Sequence, residues 1–175
     1  MAPQSPLSLL DVVAIILFTI FLLGETTADE QQWNFQSHKY ALKNAGKPLV
    51  GEYKRGFLVD GLFRFSRHPN FFCEMSIWWS FYLFSVAASG SSDKRHFILL
   101  LLSWSKKYFE TNQIFFLSPG VWLNWSIAGA VLLTLLFQGS TDYTEKLTMK
   151  KYPQYAKYQK TTSRLIPWFP GRKLD

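Results

Sequence analysis

Cysteine is nearly absent from this chain. Its one representative, Cys73, can close no intrachain disulfide and build no cysteine metal cluster. Histidine is almost as scarce, and neither His38 nor His96 has a carboxylate or cysteine at metal-ligand spacing, so no metal site is expected. The glycine-rich signatures of nucleotide and hydrolase sites are missing as well. There is no GxGxxG turn, no phosphate-binding P-loop and no GxSxG elbow, so a bound nucleotide would not sit on a Rossmann turn. Internal repeats and low-complexity tracts are lacking. Acidic residues are few, 12 against 19 basic ones, which leaves a net charge of +7.

The 175 residues suit one domain, read here as a single membrane domain over residues 1–175. Apolar residues make up 48% of the chain, yet mean hydropathy is near zero. The apolar residues therefore stand in blocks, with basic polar stretches between them. Such partition belongs to a chain that lipid solvates in part and water in part. No nucleic-acid motif accompanies the basic charge, so the partner expected for it is the anionic membrane surface and not nucleic acid.

Residues 7–24 form the first expected span, with Asp11 as its only charge. Residues 1–6 lack the basic start of a signal peptide, so the run is read as a retained membrane helix. Glu25 and Asp29 follow, four apart, and share a face if the helix continues. Residues 33–67 are polar and basic, with Gly46, Gly51, Gly56 and Gly61 set to break long helices, and read as a cytosolic loop. Ser66-Arg67-His68-Pro69 looks like a helix start, because proline is tolerated in a first turn.

The second span is residues 70–88, rich in tryptophan and phenylalanine, and the last is residues 121–137. Residues 97–117 are ambiguous. They are apolar at both ends, but Lys106, Lys107 and Glu110 lie mid-segment, where each charge costs roughly 2.5–3.5 kcal/mol to insert. If that segment stays out of the bilayer, the basic loop and the basic tail both face the cytosol, as the positive-inside rule prefers. The expected fold is thus an all-α membrane bundle of three spans plus one doubtful apolar segment, with a cytosolic C-terminal tail. Residues 91–120 read as an insertion. In the tail, Tyr152, Tyr155 and Tyr158 recur every three residues near Trp168, a composition suited to the lipid headgroup layer.

One stretch gathers chemistry. Arg64, Arg67 and His68 stand directly before a helix N-terminus, whose free N–H groups and partial positive charge favour a phosphate. Headgroup anchoring is the competing explanation for these cations. Asn70, Glu74 and Trp78 follow on one helix face, and Glu74 is an ionisable group inside an apolar run, a costly placement that points to function. A structural partner for an arginine or amide would also account for it. Taken alone, Glu25 and Asp29 read more readily as a solvated helix end than as a site, and Asp142 and Glu145, just past the last span, are ambiguous by themselves.

The stretch Gly-Leu-Phe-Arg-Phe-Ser-Arg-His-Pro-Asn-Phe-Phe-Cys-Glu from Gly61 to Glu74 resembles an uncharacterised membrane family. So do the block from Glu25 to Trp33 and the ending from Lys151 to Pro170. That family is grouped with the steroid 5-alpha-reductases and related to the isoprenylcysteine carboxyl methyltransferases. The resemblance implies an all-helical bundle of the endoplasmic reticulum membrane, with NADPH held on the cytosolic side by Glu25, Asp29, Arg67, His68, Asn70, Glu74 and the region of Glu145. Arg64, read from the residues, joins Arg67 and His68 as a phosphate contact.

The implied reaction is hydride transfer to the double bond of a lipophilic enone. The methyltransferase branch, which uses S-adenosylmethionine, shares Arg-His-Pro but typically lacks the pattern of Pro69, Asn70 and Glu74. A non-catalytic membrane protein that retains the motif is the third reading. The chain departs from the family at Phe71, where tyrosine is common, and at Cys73, where glycine is common. The family's N-terminal helices are absent, and residues 91–120 have no counterpart.

Overall fold

The computed structural model describes residues 7–89 and 124–169, and among them every regular element is helical. The elements are α1 (Leu9–Asn44), α2 (Gly51–Arg55), a 3-10 turn (Gly61–Arg64), α3 (Pro69–Ser89), α4 (Ile127–Lys151) and α5 (Tyr155–Thr161). The doubtful segment 97–117 and the expected insertion 91–120 lie outside the described residues.

Helix α1 is longer than expected. It continues past Gly24 through residues read as loop, and its 36 residues span about 54 Å at the usual rise per residue. No proline and no second glycine interrupts it before Gly46. Its start explains Asp11. The Ser8 hydroxyl accepts from the Asp11 N–H (3.2 Å), and the Asp11 carboxylate accepts from the Ser8 N–H (2.7 Å) and hydroxyl (2.6 Å). This reciprocal cap satisfies N–H groups that would otherwise be orphaned at the helix end. Its finish is a left-handed glycine, Gly46 at φ 65°, with the Lys47 N–H reaching back to the Leu42 carbonyl (3.0 Å).

Two helices, Leu9–Asn44 and Pro69–Ala88, are long and apolar enough to cross a membrane, which suggests a membrane environment. Only 6% of the most apolar window of α1 is buried by protein, so α1 does not read as the core of a soluble bundle. The hydroxyls of Thr19, Thr26 and Thr27 donate to carbonyls one turn back, which satisfies these three polar groups within the helix. The third expected span, residues 121–137, is described only from residue 124; α4 covers its later part and exposes Leu132, Leu135 and Leu136, but α4 is not among the helices long and apolar enough to cross a membrane. That helix runs on through the polar residues to Lys151.

The described chain falls into two compact units, one within Met1–Ile20 and Ser76–Leu133, the other within Phe21–Met75 and Thr134–Asp175. In the first, Tyr82, Val86 and Ala130 are buried together against Leu10 and Ile127. Asn124 caps α4 by accepting from the Ser126 N–H (3.1 Å).

In the second unit Phe57, Val59, Tyr155 and Tyr158 form the core, with Tyr152 packed on it. The tyrosine ladder therefore faces protein and not headgroups, because its spacing of three puts Tyr155 and Tyr158 on the inner side of α5. The Tyr158 hydroxyl donates to the Phe63 carbonyl. Gly56, at φ 91°, lies so close to the Tyr152 ring that any side chain there would collide with it.

Candidate functional site

Residues 61–70 are the hub of the second unit. On one side they are pinned to α1. The Leu62 N–H donates to Gln31 Oε1 (2.9 Å), and the Asn70 amide donates to Asp29 Oδ1 (3.0 Å). On another side they run along the tail. The Arg67 and His68 N–H groups donate to the carbonyls of Ser163 (2.8 Å) and Arg164 (3.1 Å), and the Trp168 N–H donates to the Phe65 carbonyl (3.0 Å). Ser66, fully buried, donates its hydroxyl to the Leu165 carbonyl (2.7 Å). Helix α3 then opens at Pro69, with the Phe72 N–H bonded to the His68 carbonyl, as the sequence predicts for this start.

The expected site residues assemble into two sets. The first is a buried ion pair. Arg67 donates Nε to Glu145 Oε1 (2.6 Å) and a terminal nitrogen to Oε2 (3.2 Å), while its other terminal nitrogen serves the carbonyls of Gln159 (2.9 Å) and Thr162 (2.6 Å). His68 Nε2 lies 3.1 Å from Glu145 Oε1, and the Gln159 amide donates to Oε2 (2.7 Å). Burial pushes the Glu145 carboxyl up, but the bonds from His68, Arg67 and Gln159 outweigh it and hold Glu145 at about 2. The Tyr155 phenol is pushed up by its own burial and by the Glu145 charge beside it. Arg67 thus spends four of its five donors inside the protein.

The second set joins α1 to α3. Glu25 and Asp29 are four apart on α1, Asn70 and Glu74 four apart on α3, and they pair in antiparallel order. Asp29 meets Asn70, and the Glu25 carboxyl lies beside that of Glu74, close enough for the two charges to oppose each other. One residue along each helix, Cys73 packs against Gly24, where an added Cβ would stand 2.9 Å from the sulfur. The cysteine found where glycine is common thus has its space supplied by a glycine on the facing helix.

Arg64, in the 3-10 turn, belongs to neither pairing, and its buried Nε has no hydrogen-bond partner among the described residues. Sequence reasoning did not foresee Gln31, Gln159 or the carbonyl of Thr162. Nothing in a lone glutamine or a backbone oxygen marks such a role in sequence. Asp142 and Glu145, indistinguishable in sequence, separate in the fold. Glu145 is buried, whereas Asp142 is an exposed partner of Arg164.

The chain is 35% identical over 172 residues to the uncharacterized protein C594.04c of Schizosaccharomyces pombe, an alignment covering 94% of this chain and 41% of that protein. It therefore spans about two fifths of the length of this curated relative. No solved structure matches. Residues 1–106 match the family model described as Protein of unknown function (DUF1295). That match takes in more than half of the chain, including α1, the residue 61–70 hub and all of α3, and on it the protein belongs to the DUF1295 family.

Proposed function

We propose that the chain carries the cofactor-holding part of a membrane-embedded reductase that uses NADPH on a lipophilic enone, of the steroid 5-alpha-reductase kind. The observation that carries the reading is the double pairing of Glu25 with Glu74 and Asp29 with Asn70. Four polar side chains at the meeting of two apolar helices are costly unless they serve a ligand or a proton. The same residues carry the resemblance to the reductase family.

The residues fit a dinucleotide, with roles shifted from those the sequence implied. Arg67, His68 and Glu145 satisfy one another, so their part is to fix the start of α3. The cation left for a phosphate is Arg64, whose buried Nε is unpartnered among the described residues. Asp29 and Asn70, bonded to each other at an exposed position, offer an acceptor and a donor for ribose or amide groups. When bound, NADPH would supply a hydride. The chain's own contribution is to hold and orient the cofactor.

The membrane arrangement belongs to the same proposal. Tail and loop are bonded to each other, Gln154 to the Arg55 carbonyl (3.1 Å) and Arg67 to the Thr162 carbonyl, which supports placing both on one face of the membrane. Their basic charge makes that face cytosolic by the positive-inside rule, with the endoplasmic reticulum as the implied membrane.

The internal use of Arg67 and His68 favours a second reading, a non-catalytic membrane protein that retains the motif. Titration of the purified chain in detergent with NADPH, NADH and S-adenosylmethionine decides between them. Saturable NADPH binding that Asp29→Ala weakens is the expected result. Binding of S-adenosylmethionine instead would make the protein a methyltransferase, and binding of none of the three would leave the second reading.

A further inference from the structure

We infer that residues 160–169 form a seat for one anionic phospholipid, with its phosphate against Lys160 and its acyl chains across Ile166, Trp168 and Phe169. These residues line a surface groove of about 460 Å³ together with Thr161 and Ser163. One wall is cationic and hydroxylic. The lip is apolar and faces outward, with Ile166, Trp168 and Phe169 exposed by 65%, 68% and 78%. A groove with one polar wall and one apolar lip matches an amphiphile better than a soluble anion, which would gain nothing from the lip.

The exposure of these rings is built into the fold. The Trp168 N–H is held by the Phe65 carbonyl and the Leu165 carbonyl by Ser66, while Thr162, three residues before Leu165, is buried. The backbone is therefore fixed with its aromatic pair turned out, Trp168 and Phe169 meeting edge to face at 5.6 Å.

Charge selects the lipid. Residues 143–175 carry eight basic side chains against two acidic ones. Arg164 is already paired with Asp142, so Lys160 is the cation that lines the groove. An anionic leaflet attracts such a lysine, and tryptophan beside it belongs at headgroup depth. This seat is independent of any cofactor.

The test uses the full chain in nanodiscs of phosphatidylcholine with and without phosphatidylserine, with retained lipids counted by native mass spectrometry. One phosphatidylserine should be retained roughly fivefold over phosphatidylcholine, the preference expected from one lysine at an anionic surface. Lys160→Gln should abolish the preference, and Trp168→Ser should lower retention of both lipids. Lys160→Gln changes one exposed side chain and leaves the Phe65–Trp168 backbone bond in place, so it stays informative if Trp168→Ser fails to fold. Equal retention of the two lipids would overturn the inference. So would a preference that survives Lys160→Gln, or displacement of the lipid by inorganic phosphate.

Discussion

Arg67 grips both carboxylate oxygens of Glu145 across 78 residues of sequence, at 2.6 and 3.2 Å, with both side chains less than a tenth exposed. A bidentate pair this dry orients the start of α3 against α4, and the loss of either partner would leave the other charge buried and unpaired.

Removing Glu145 should therefore be severe. Glu145→Ala leaves Arg67 charged and buried without its partner, a change that costs about 3–5 kcal/mol. Asp142→Ala, which breaks an exposed pair with Arg164, should cost at most about 1 kcal/mol. Thermal unfolding of both variants in the same detergent checks the contrast. Similar losses in the two would show that the buried pair has no special weight.

The same carboxylate makes stability depend on pH. Its folded value of about 2 lies below the ordinary 4.5, so its contribution is complete above the ordinary value and is lost as pH falls towards 2. The shift corresponds to about 3 kcal/mol, released between roughly pH 5 and pH 2. Glu145→Gln should flatten the acid limb of the stability profile. An unchanged limb would place the acid sensitivity in other carboxylates.

Glu74→Ala should weaken NADPH binding by about tenfold or more, the cost of one lost hydrogen bond to a charged or buried group. Glu52→Ala, in the α2 segment away from the α1–α3 pairing, should leave it within twofold by the same reasoning. Isothermal titration of both variants measures the difference, and equal small effects would remove Glu74 from the site.

Much of this was legible in the sequence, for identifiable reasons. Proline at a first turn and the Ser66-Arg67-His68 lead-in located the start of α3, because a proline ring leaves few other options. The four-residue spacing of Glu25 and Asp29, and of Asn70 and Glu74, correctly put each pair on one face. What the spacing could not say is that the two faces meet, since that depends on packing between distant segments. The length of α1 is not legible from polarity, because polar residues without glycine or proline form helix as readily as loop. The charge of Arg67 and His68 is visible in sequence, whereas the carboxylate they meet lies 78 and 77 residues away and cannot be matched to them without the fold.

The contact between Gly24 and Cys73 yields a prediction that isolates one atom pair. A methyl group at Gly24 would stand 2.9 Å from the Cys73 sulfur, closer than such atoms are found. Both residues sit on helices that the nearby Asp29–Asn70 bond also joins, so a retreat of either helix would strain that contact. Gly24→Ala should therefore cost about 1–3 kcal/mol as overpacking. Gly24→Ala combined with Cys73→Gly should recover most of that loss, because the clash needs both side chains. Thermal unfolding of the two singles and the double gives the coupling directly, and contacting residues of this kind couple by about 0.5–3 kcal/mol. Glycine at 73 carries its own helix penalty of about 1 kcal/mol, so the informative quantity is the coupling and not the stability of the double variant alone. Additive losses would mean that α1 and α3 do not approach closely at this level, and the pairing of Glu25 with Glu74 one residue further on would lose its support.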